Sequence, residues 1–414
     1  MKSICILLQN HYEIDIRVRR KAEALVAAGY SVDVFALHSS YSKGREYTVD
    51  GVNLHVIELG KKRGSLARYI FEYFYFLTWA FWKVFRLMGR RRYSVIDVNN
   101  LPDFLVFAAA VGKWRGAKVV LDMHEITPEF YISKYGMNPD SLIIKVLEIV
   151  EQLSLRFADA VININHPIEN VLVERGMARG KSTIVMNAVD EEFFANAAKA
   201  DNAPVPSDAS FVMMYHGTIN HIYGLDIAVQ AFSRVHAQMP GAELWIVGTG
   251  SEKDDLAAQI KSLGMESKVK LLGRVLPQEI PRLLKRCDMG VLATRQDVFL
   301  DLSFSNKLSE YIIMGKTVIA SRLRTMNFYF SDQALAYFEP NNSSDLADQM
   351  LKMYRSPARR AELAEQARKE FVPIRWEVMR DRYLKLIASL CGEVAAPRAT
   401  NPPKEEAHAS ASVR

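Results

Sequence analysis

The chain has 414 residues, 49% of them hydrophobic, which is enough for two globular domains that each bury a core. Its net charge of +6 favours anionic partners such as phosphorylated substrates or lipid surfaces, without choosing among them. The three cysteines are far apart and form no CxxC or Cys/His pattern, which argues against a zinc site and for reduced thiols in a cytosolic protein. No signal-peptide pattern opens the chain, so a cytoplasmic location is expected.

Short apolar runs alternate with amphipathic helical patterns along the whole chain, which is typical of parallel α/β sheets. In the first half, a helix is predicted over residues 17–28, and strands over residues 3–8, 31–36, 95–98, 118–122 and 160–164. In the second half, helices are predicted over residues 224–238 and 254–263, and strands over residues 211–215, 243–247, 268–272, 289–292, 317–320 and 336–338.

The pattern is interrupted at residues 196–210, a small, polar, proline-bearing segment typical of an interdomain linker. We therefore predict an α/β fold of two doubly wound, Rossmann-like domains, residues 1–195 and 196–392, that face each other across a cleft. The last helix can pack back on the first domain. Residues 393–414 lack an apolar face and are expected to be disordered. In such sheets, ligands bind at the carboxyl ends of the strands.

An unusually aromatic helix is predicted over residues 66–88, with basic clusters at residues 61–63 and 90–92. Its uncharged stretch, residues 73–82, is too short to span a bilayer. Two interpretations remain open, and both can hold at once: a helix that lies on an anionic membrane surface, or a core helix packed on the first sheet. In either case, helical spacing predicts one face shared by the side chains of Arg68, Glu72, Tyr75, Trp79, Lys83, Arg86 and Arg90.

Polar side chains follow one buried strand of the first domain. His124 and Glu125 come directly after the strand at residues 118–122, so they are expected to face the cleft, where His124 can contact a sugar hydroxyl or stabilise developing charge. Glu129 can line an acceptor pocket or simply complement the positive end of a helix.

Three glycine turns follow buried strands of the second domain. Gly217 would let a phosphate approach the backbone closely, although one glycine turn is a weak signal. The turn at Gly248 lacks the third glycine of a dinucleotide fingerprint, which excludes a nicotinamide cofactor there. After Gly273, the backbone can bond to a nucleobase edge and Arg274 can stack on one, or Arg274 is simply a surface residue.

Residues 297–322 carry the most informative pattern of the chain. Ser305 is the expected N-cap of a helix, which places Lys307 in the first turn, beside the positive end of the helix dipole. A lysine in that position is favourable if an anion such as a diphosphate binds there, and Glu310, one turn on, can accept hydrogen bonds from ribose or sugar hydroxyls. A solvated lysine and a surface glutamate are the alternative. Asp301 precedes the helix.

Several motif classes are absent from the sequence. It has no Asp-x-Asp pair to hold a cation on a diphosphate, so we expect neither a metal nor another cofactor. It also has no Walker motif and no GxSxG elbow. Nucleic-acid binding is disfavoured, since no recognition module is visible.

These motifs, taken in order, resemble those of the retaining glycosyltransferases of family 4, which have the GT-B fold. The chain is most similar to bacterial members that build capsular polysaccharide, exopolysaccharide and lipid-linked glycans. The resemblance covers residues 1–391, and the matching segments are DIRVRRKAEALVAAGY (15–30), NNLPDFLVFAAA (99–110), LDMHEITPEFY (121–131), YHGTINHIYGLDIAVQAF (215–232) and NKLSEYIIMGKTVIAS (306–321).

The resemblance implies a nucleotide-sugar donor on the second domain, a glycan or polyprenyl-linked acceptor on the first, and metal-independent transfer with retention. By this resemblance, the catalytic residues are His124, Asp301, Lys307 and Glu310. The donor site comprises Gly217, Thr218, Gly248, Gly273, Arg274, Val275, Ser305, Lys307, Leu308 and Glu310. The acceptor side comprises Arg17, Asn99, Glu125 and Glu129. The expected location is the inner face of the cytoplasmic membrane, with residues 61–92 on anionic lipid.

The sequence departs from the family pattern at three places. Asp301 stands where the family has Glu, one residue further from Glu310 than is usual. Thr218 and Tyr223 stand near the positions of the family's arginine and lysine after Gly217, and a glycine pair is missing from the N-terminal loop. These gaps put more weight on Lys307 and leave two arginines of the first helix, Arg17 and Arg19, as substitutes.

Two other functions stay open: a nucleotide-sugar 2-epimerase of the same fold, and a catalytically silent scaffold in polysaccharide assembly. The missing basic residues near Gly217 favour the scaffold, whereas Lys307, Glu310 and His124 favour the transferase. No residue selects the base, the sugar or the linkage.

Overall fold

The computed structural model describes residues 1–59, 66–189, 191–200 and 209–393. The first domain is built on an eight-stranded sheet with strand order β3-β4-β2-β1-β5-β6-β7-β8. Its strands are β1 (Ser3–His11), β2 (Ser31–Leu37), β3 (Glu46–Val49), β4 (Val52–Ile57), β5 (Tyr93–Asn99), β6 (Lys118–Met123), β7 (Ala160–Asn163) and β8 (Ser182–Ile184). Its helices are α1 (Ile16–Ala27), α2 (Leu66–Leu87), α3 (Ala110–Trp114), α4 (Thr127–Tyr135), α5 (Leu142–Phe157) and α6 (His166–Glu174), with 3₁₀ turns at Asp103–Ala109 and Arg179–Lys181.

Helix α7 (Glu191–Ala200) leads towards the second domain, whose six-stranded sheet has the order β11-β10-β9-β12-β13-β14. Its strands are β9 (Phe211–His216), β10 (Ala242–Val247), β11 (Val269–Gly273), β12 (Met289–Leu292), β13 (Thr317–Ser321) and β14 (Ala336–Phe338). The helices are α8 (Leu225–Val235), α9 (Lys253–Ser262), α10 (Ile280–Arg286), α11 (Asn306–Ile313), α12 (Arg324–Tyr329), α13 (Ser343–Arg355), α14 (Pro357–Phe371) and α15 (Trp376–Leu390).

Apart from the antiparallel β3–β4 hairpin, the strand pairs of both sheets are parallel, which confirms the predicted architecture of two doubly wound domains. The central strands are almost entirely buried, as expected where helices cover both faces of a sheet. The sequence prediction missed β3, β4 and β8. These are edge strands or their neighbours, and their short, half-exposed patterns carry little apolar signal.

Part of the predicted linker is helical, because residues 196–200 continue α7, so the boundary at residue 195 falls inside a helix. Residues 201–208 of the linker and residues 394–414 of the predicted disordered tail lie outside the described part of the chain. The last helix, α15, contacts the first domain. There the Tyr383 hydroxyl donates to Asp97 Oδ2 at 2.8 Å, and the Met186 N–H donates to the Met379 sulfur at 3.1 Å.

Helix α2 packs one stripe, including Phe76 and Val84, into the core of the first domain. The predicted face that carries Glu72 and Trp79 is partly buried. Glu72 is buried and pairs with Arg68 at 2.8 Å, while Trp79 packs its ring on buried aromatic neighbours. No helix among the described residues is long and apolar enough to cross a membrane.

Candidate active site

The loops at the carboxyl ends of both sheets contact each other. The loop after β12 reaches the first domain, where Ser133 Oγ donates to Asp297 Oδ2 at 2.6 Å and Asn165 Nδ2 donates to the Leu302 carbonyl at 2.8 Å. The rings of Phe130 and Phe299 meet edge to face across the same contact. Because Ser133 and Asn165 follow β6 and β7, the ligand-binding edges of the two sheets face one another.

Helix α11 positions the predicted donor residues. Ser305 is its N-cap residue, as expected, although its hydroxyl makes no capping hydrogen bond. Lys307 lies in the first turn, half-buried, with its ammonium 4.2 Å from the ring centroid of Tyr223 and 5.5 Å from that of Tyr215. Burial lowers the pKa of Lys307 to about 8, and the Glu310 carboxylate opposes that shift. The lysine is thus a desolvated cation beside a positive helix end.

The glycine turns lie against this lysine and against each other. Gly217 has φ +133°, and a side-chain carbon there would collide with Lys307 Cε. A side-chain carbon at Gly248 would collide with the Gly217 carbonyl, and the Gly248 N–H donates to the Gly273 carbonyl at 2.7 Å. The predicted turns at Gly217, Gly248 and Gly273 therefore form one bare backbone surface, which a phosphate can approach.

Glu310 has a partner that sequence reasoning missed. His216 Nε2 lies 2.5 Å from Glu310 Oε2, and His216 Nδ1 lies 3.1 Å from the hydroxyl of Tyr311, which donates to the Met214 carbonyl. His216 is the last residue of β9, directly before Gly217. A polar residue at the end of an otherwise apolar strand was the available signal. The histidine fixes one oxygen of the Glu310 carboxylate and so orients the other.

The remaining donor-site predictions have mixed outcomes. Thr218 and Arg274 are exposed, and Val275 is half-buried. The Thr218 carbonyl accepts from the Tyr215 hydroxyl at 2.8 Å. The Leu308 side chain is fully buried in the core, and its N–H donates to the Ser305 carbonyl. Contact between the Leu308 backbone and a donor stays a prediction.

Asp301 lies in a 3₁₀ turn before α11. Its Oδ1 accepts from the Arg324 N–H at the start of α12 at 2.8 Å, and its carbonyl accepts from the Thr325 hydroxyl. Its N–H donates to the Asp297 carbonyl, and among the described residues no hydrogen bond of Asp301 goes to Lys307 or Glu310. Contact between Asp301 and a donor sugar remains a prediction.

The first domain has a cavity of about 390 Å³ at the carboxyl ends of its central strands. Three predicted residues, Arg17, His124 and Glu125, line it together with Tyr73 of α2. Arg17 pairs with Asp15 at 2.9 Å. Burial raises the pKa of Glu125, so this carboxyl group is held closer to neutrality than a surface glutamate.

His124 belongs to a buried polar network. Its Nε2 lies 2.7 Å from Oδ1 of Asn99, a predicted acceptor residue that is itself buried, and Asp122 lies 3.5 Å away. Burial lowers the pKa of His124 well below its ordinary value, and the nearby cations Lys21 and Arg17 act in the same direction. The imidazole is therefore neutral at physiological pH. The ion pair of Lys21 with Asp122 was not predicted.

The prediction that Glu129 lines the acceptor pocket is wrong. Glu129 lies in the first turn of α4, where it forms a bidentate ion pair with Arg175, and Arg175 also contacts Glu151 at 3.2 Å. Glu151 is completely buried, and burial raises its pKa to about 8. The cluster joins α4, α5 and the end of α6, so Glu129 holds helices together. Its short distance in sequence from His124 was misleading.

No group of three or more acidic, histidine or cysteine side chains in the described ranges could hold a metal ion.

Two family models match this chain, one for each domain. The family described as "Glycosyl transferase 4-like domain" matches residues 14–188, and "Glycosyl transferases group 1" matches residues 210–356. The two matches together cover most of the chain, which therefore belongs to the glycosyltransferase family. Together the two matches include every described strand except β1, as well as the glycine turns and helix α11 described above.

Among curated proteins, the transferase is similar to glycogen synthase of Mycobacterium tuberculosis, with 24% identity over 206 residues, 49% of this chain and 48% of that one. It is also similar to mannosylfructose-phosphate synthase of Agrobacterium fabrum, with 26% identity over 161 residues, 36% of each chain. These alignments therefore span about half or less of either relative.

Solved structures confirm that the transferase has the GT-B fold. Sucrose-phosphate synthase from Thermosynechococcus elongatus superposes with a TM-score of 0.71 at 18% identity, covering 95% of this chain and 100% of that one. HepE from Anabaena, solved in complex with UDP, superposes with a TM-score of 0.67 at 17% identity, covering 94% and 100%.

Proposed function

We propose that this transferase is a retaining, metal-independent enzyme that moves a sugar from a nucleoside diphosphate to a glycan or polyprenyl-linked acceptor in surface polysaccharide biosynthesis. The observation that carries the proposal is Lys307, a desolvated cation at the start of α11 against the bare turn at Gly217. Such a cation is costly unless an anion binds beside it, and a diphosphate supplies that anion. Glu310, one turn further, would accept hydrogen bonds from ribose hydroxyls.

The proposed reaction balances without a metal or a protein nucleophile. The acceptor hydroxyl oxygen bonds to the anomeric carbon while the bond from that carbon to the phosphate oxygen breaks on the same face. The hydroxyl proton passes to the departing phosphate oxygen. Lys307 and the N–H groups at the start of α11 would stabilise the charge that grows on the diphosphate. The neutral imidazole of His124 would bind a sugar hydroxyl without adding charge.

The acceptor would enter the first-domain cavity, where Arg17, Glu125 and His124 supply polar groups of different charge. The same cavity is lined by Tyr73 of α2. We propose that residues 61–92 contact anionic lipid at the cytoplasmic face of the membrane, which would bring a lipid-linked acceptor to the cavity beside α2.

The first test is thermal unfolding in the presence of UDP, GDP, ADP and their sugars, with and without EDTA. UDP is the leading probe, because the structurally similar HepE was solved with it. A ligand at about a hundred times its dissociation constant adds roughly 2.7 kcal/mol to the free energy of unfolding. A shift from one nucleotide that EDTA does not remove supports the proposal, and no shift from any nucleotide favours the silent scaffold.

The second test follows the donor and the products by NMR. Transfer to an acceptor with the donor's anomeric configuration supports the proposal, whereas isomerisation of the donor sugar without an acceptor identifies a 2-epimerase. Lys307→Ala and Glu310→Ala should each abolish turnover and keep the wild-type melting profile. Near-wild-type turnover in either variant removes this site from the reaction.

A further inference from the structure

Helix α5 exposes an apolar stripe on its solvent face. Leu142, Val146, Ile149 and Leu153 recur at helical spacing and are 78%, 49%, 56% and 49% exposed. The opposite face of the same helix buries Glu151 in the ion-pair cluster with Arg175. The solvent face of α5 therefore carries apolar side chains, while its buried face carries a charged one. An ordinary surface helix has the opposite arrangement.

Helix α2 exposes a matching stripe of aromatic rings. Phe71, Phe74, Trp82 and Phe85 are 55%, 54%, 63% and 44% exposed, and Tyr75 lies on the same side. Side chains that pack on the sheet occupy the opposite side of α2. Scattered single apolar residues are normal at a protein surface, but two helices with continuous apolar stripes indicate a contact surface.

The two stripes belong to one face of the first domain, because both helices flank the 3₁₀ turn at Asp103–Ala109. Phe74 of α2 stacks on Phe104 of that turn at 5.1 Å between ring centroids. Phe107 of the same turn meets Phe157 of α5 edge to face, also at 5.1 Å. The 3₁₀ turn therefore makes one aromatic contact with α2 and one with α5, and we call the surface formed by the two stripes the α2–α5 face.

The exposed charged side chains of α2 and α5 have one sign. The charged side chains of the two helices that are exposed, among those described, are the cations Arg86, Lys145 and Arg156. The acidic residues of the two helices are less exposed than the cations. Glu72 and Glu151 are buried, and Glu148 is half-exposed. Arg115 adds a further exposed cation beside the ring of Phe85.

We propose that the α2–α5 face lies on an anionic lipid bilayer, with α5 as a second membrane contact beside α2. Aromatic rings favour the headgroup region, aliphatic side chains enter the acyl boundary, and basic side chains attract anionic lipid. A second copy of the chain fits this face poorly, because a twofold contact would set cations of one copy against those of the other.

The inference rests on the proposed function, since it names the surface that supplies the acceptor. Two helices that lie on the bilayer define a plane, whereas one helix leaves rotation about its own axis free. On the inner side of α2, Glu72 and Tyr73 line the acceptor cavity. Docking through both helices would therefore hold the cavity entrance at a fixed height above the headgroups.

The test is co-sedimentation of the full chain with vesicles of phosphatidylcholine and phosphatidylglycerol at low salt. Ile149→Glu replaces an exposed aliphatic side chain of α5 with a carboxylate, and Trp82→Glu does the same to the most exposed aromatic ring of α2. We expect each variant to lower the partition coefficient at least tenfold. Leu276→Glu is the matched control, because Leu276 is 67% exposed on the second domain and should leave partitioning unchanged.

The outcomes separate the surface from the donor site. If Ile149→Glu partitions to vesicles like the wild type, α5 is not part of the membrane contact. If the wild type binds neutral and anionic vesicles equally well, the proposed preference for anionic lipid is wrong. A concentration-dependent dimer that Ile149→Glu dissociates, without vesicle binding, identifies a second copy as the occupant instead. Nucleotide-induced thermal shifts are measured on the same variants. Vesicle binding without any nucleotide shift supports the surface while contradicting the proposed function.

Discussion

The pKa of Lys307 gives the proposed donor site a pH dependence of calculable size. Burial lowers that pKa from 10.5 to about 8, so the ammonium of the free protein loses its proton just above neutral pH. A diphosphate binds the protonated form and raises the lysine's pKa when it is bound. Donor affinity should therefore be full below pH 8 and fall as the pH rises through that value.

The magnitude follows from the fraction of protonated lysine in the free protein. With a pKa of about 8, that fraction drops from about nine-tenths at pH 7 to about one-tenth at pH 9. The dissociation constant of the best nucleotide sugar should consequently rise about tenfold between these two pH values, which is about 1.4 kcal/mol. A surface lysine with an ordinary pKa would leave the affinity almost constant over this range.

Isothermal titration calorimetry at pH 7, 8 and 9 makes the measurement, with two variants as controls. Lys307→Arg keeps its charge over the whole range, so its affinity should not depend on this titration. Lys307→Gln should bind weakly at every pH. Dividing the wild-type profile by that of the arginine variant removes any ionisation of the nucleotide itself. Parallel profiles for the wild type and Lys307→Arg would refute the role given to the lysine.

Three further predictions concern named contacts. Glu310→Gln should raise the KM for the donor about 10- to 100-fold, since a hydrogen bond to a charged group contributes about 1.5–3 kcal/mol. Steady-state kinetics measures this KM, and an unchanged value would show that the ribose binds elsewhere. Gly217→Ala should weaken donor binding at least tenfold, because the new side chain displaces Lys307. The control Gly264→Ala, also at positive φ but with open space around it, should only lower stability. Equal losses of donor affinity in the two variants would contradict the role of the glycine turn. Tyr383→Phe should lower the free energy of unfolding by about 1–3 kcal/mol, because it leaves the buried Asp97 carboxyl without its hydroxyl donor. Urea titration measures that change, and an unaltered midpoint would show that this bond does not tie α15 to the first domain.

Much of the fold could be predicted because buried parallel strands are short, continuous apolar runs. The central strands β9, β12 and β13 are fully buried, and their predicted positions are accurate to within a residue. The linker was misjudged at its start for a local reason. A segment rich in alanine and asparagine has no apolar periodicity and so gives no helix signal. Residues 196–200 nevertheless extend a helix that packs on the core through Phe194.

Side-chain partners across the fold were harder to predict than backbone positions. The prediction that the first turn of α11 carries Lys307 needed only local signals. The contact of His216 with Glu310 joins β9 to α11 over 94 positions, and the pairing of Glu129 with Arg175 joins α4 to the end of α6. On α2, spacing predicted which side chains share a face, but periodicity alone does not say how far that face is buried.

The proposed function depends most on a nucleoside diphosphate that binds between α11 and the glycine turns of the second domain. A crystal structure with the nucleotide that stabilises the protein most tests this binding site directly. We expect diphosphate oxygens within hydrogen-bonding distance of Lys307 Nζ and a ribose hydroxyl on Glu310. A nucleotide bound in the first-domain cavity instead, with Lys307 still packed on Tyr223 and no phosphate beside it, would rule out the proposed donor site.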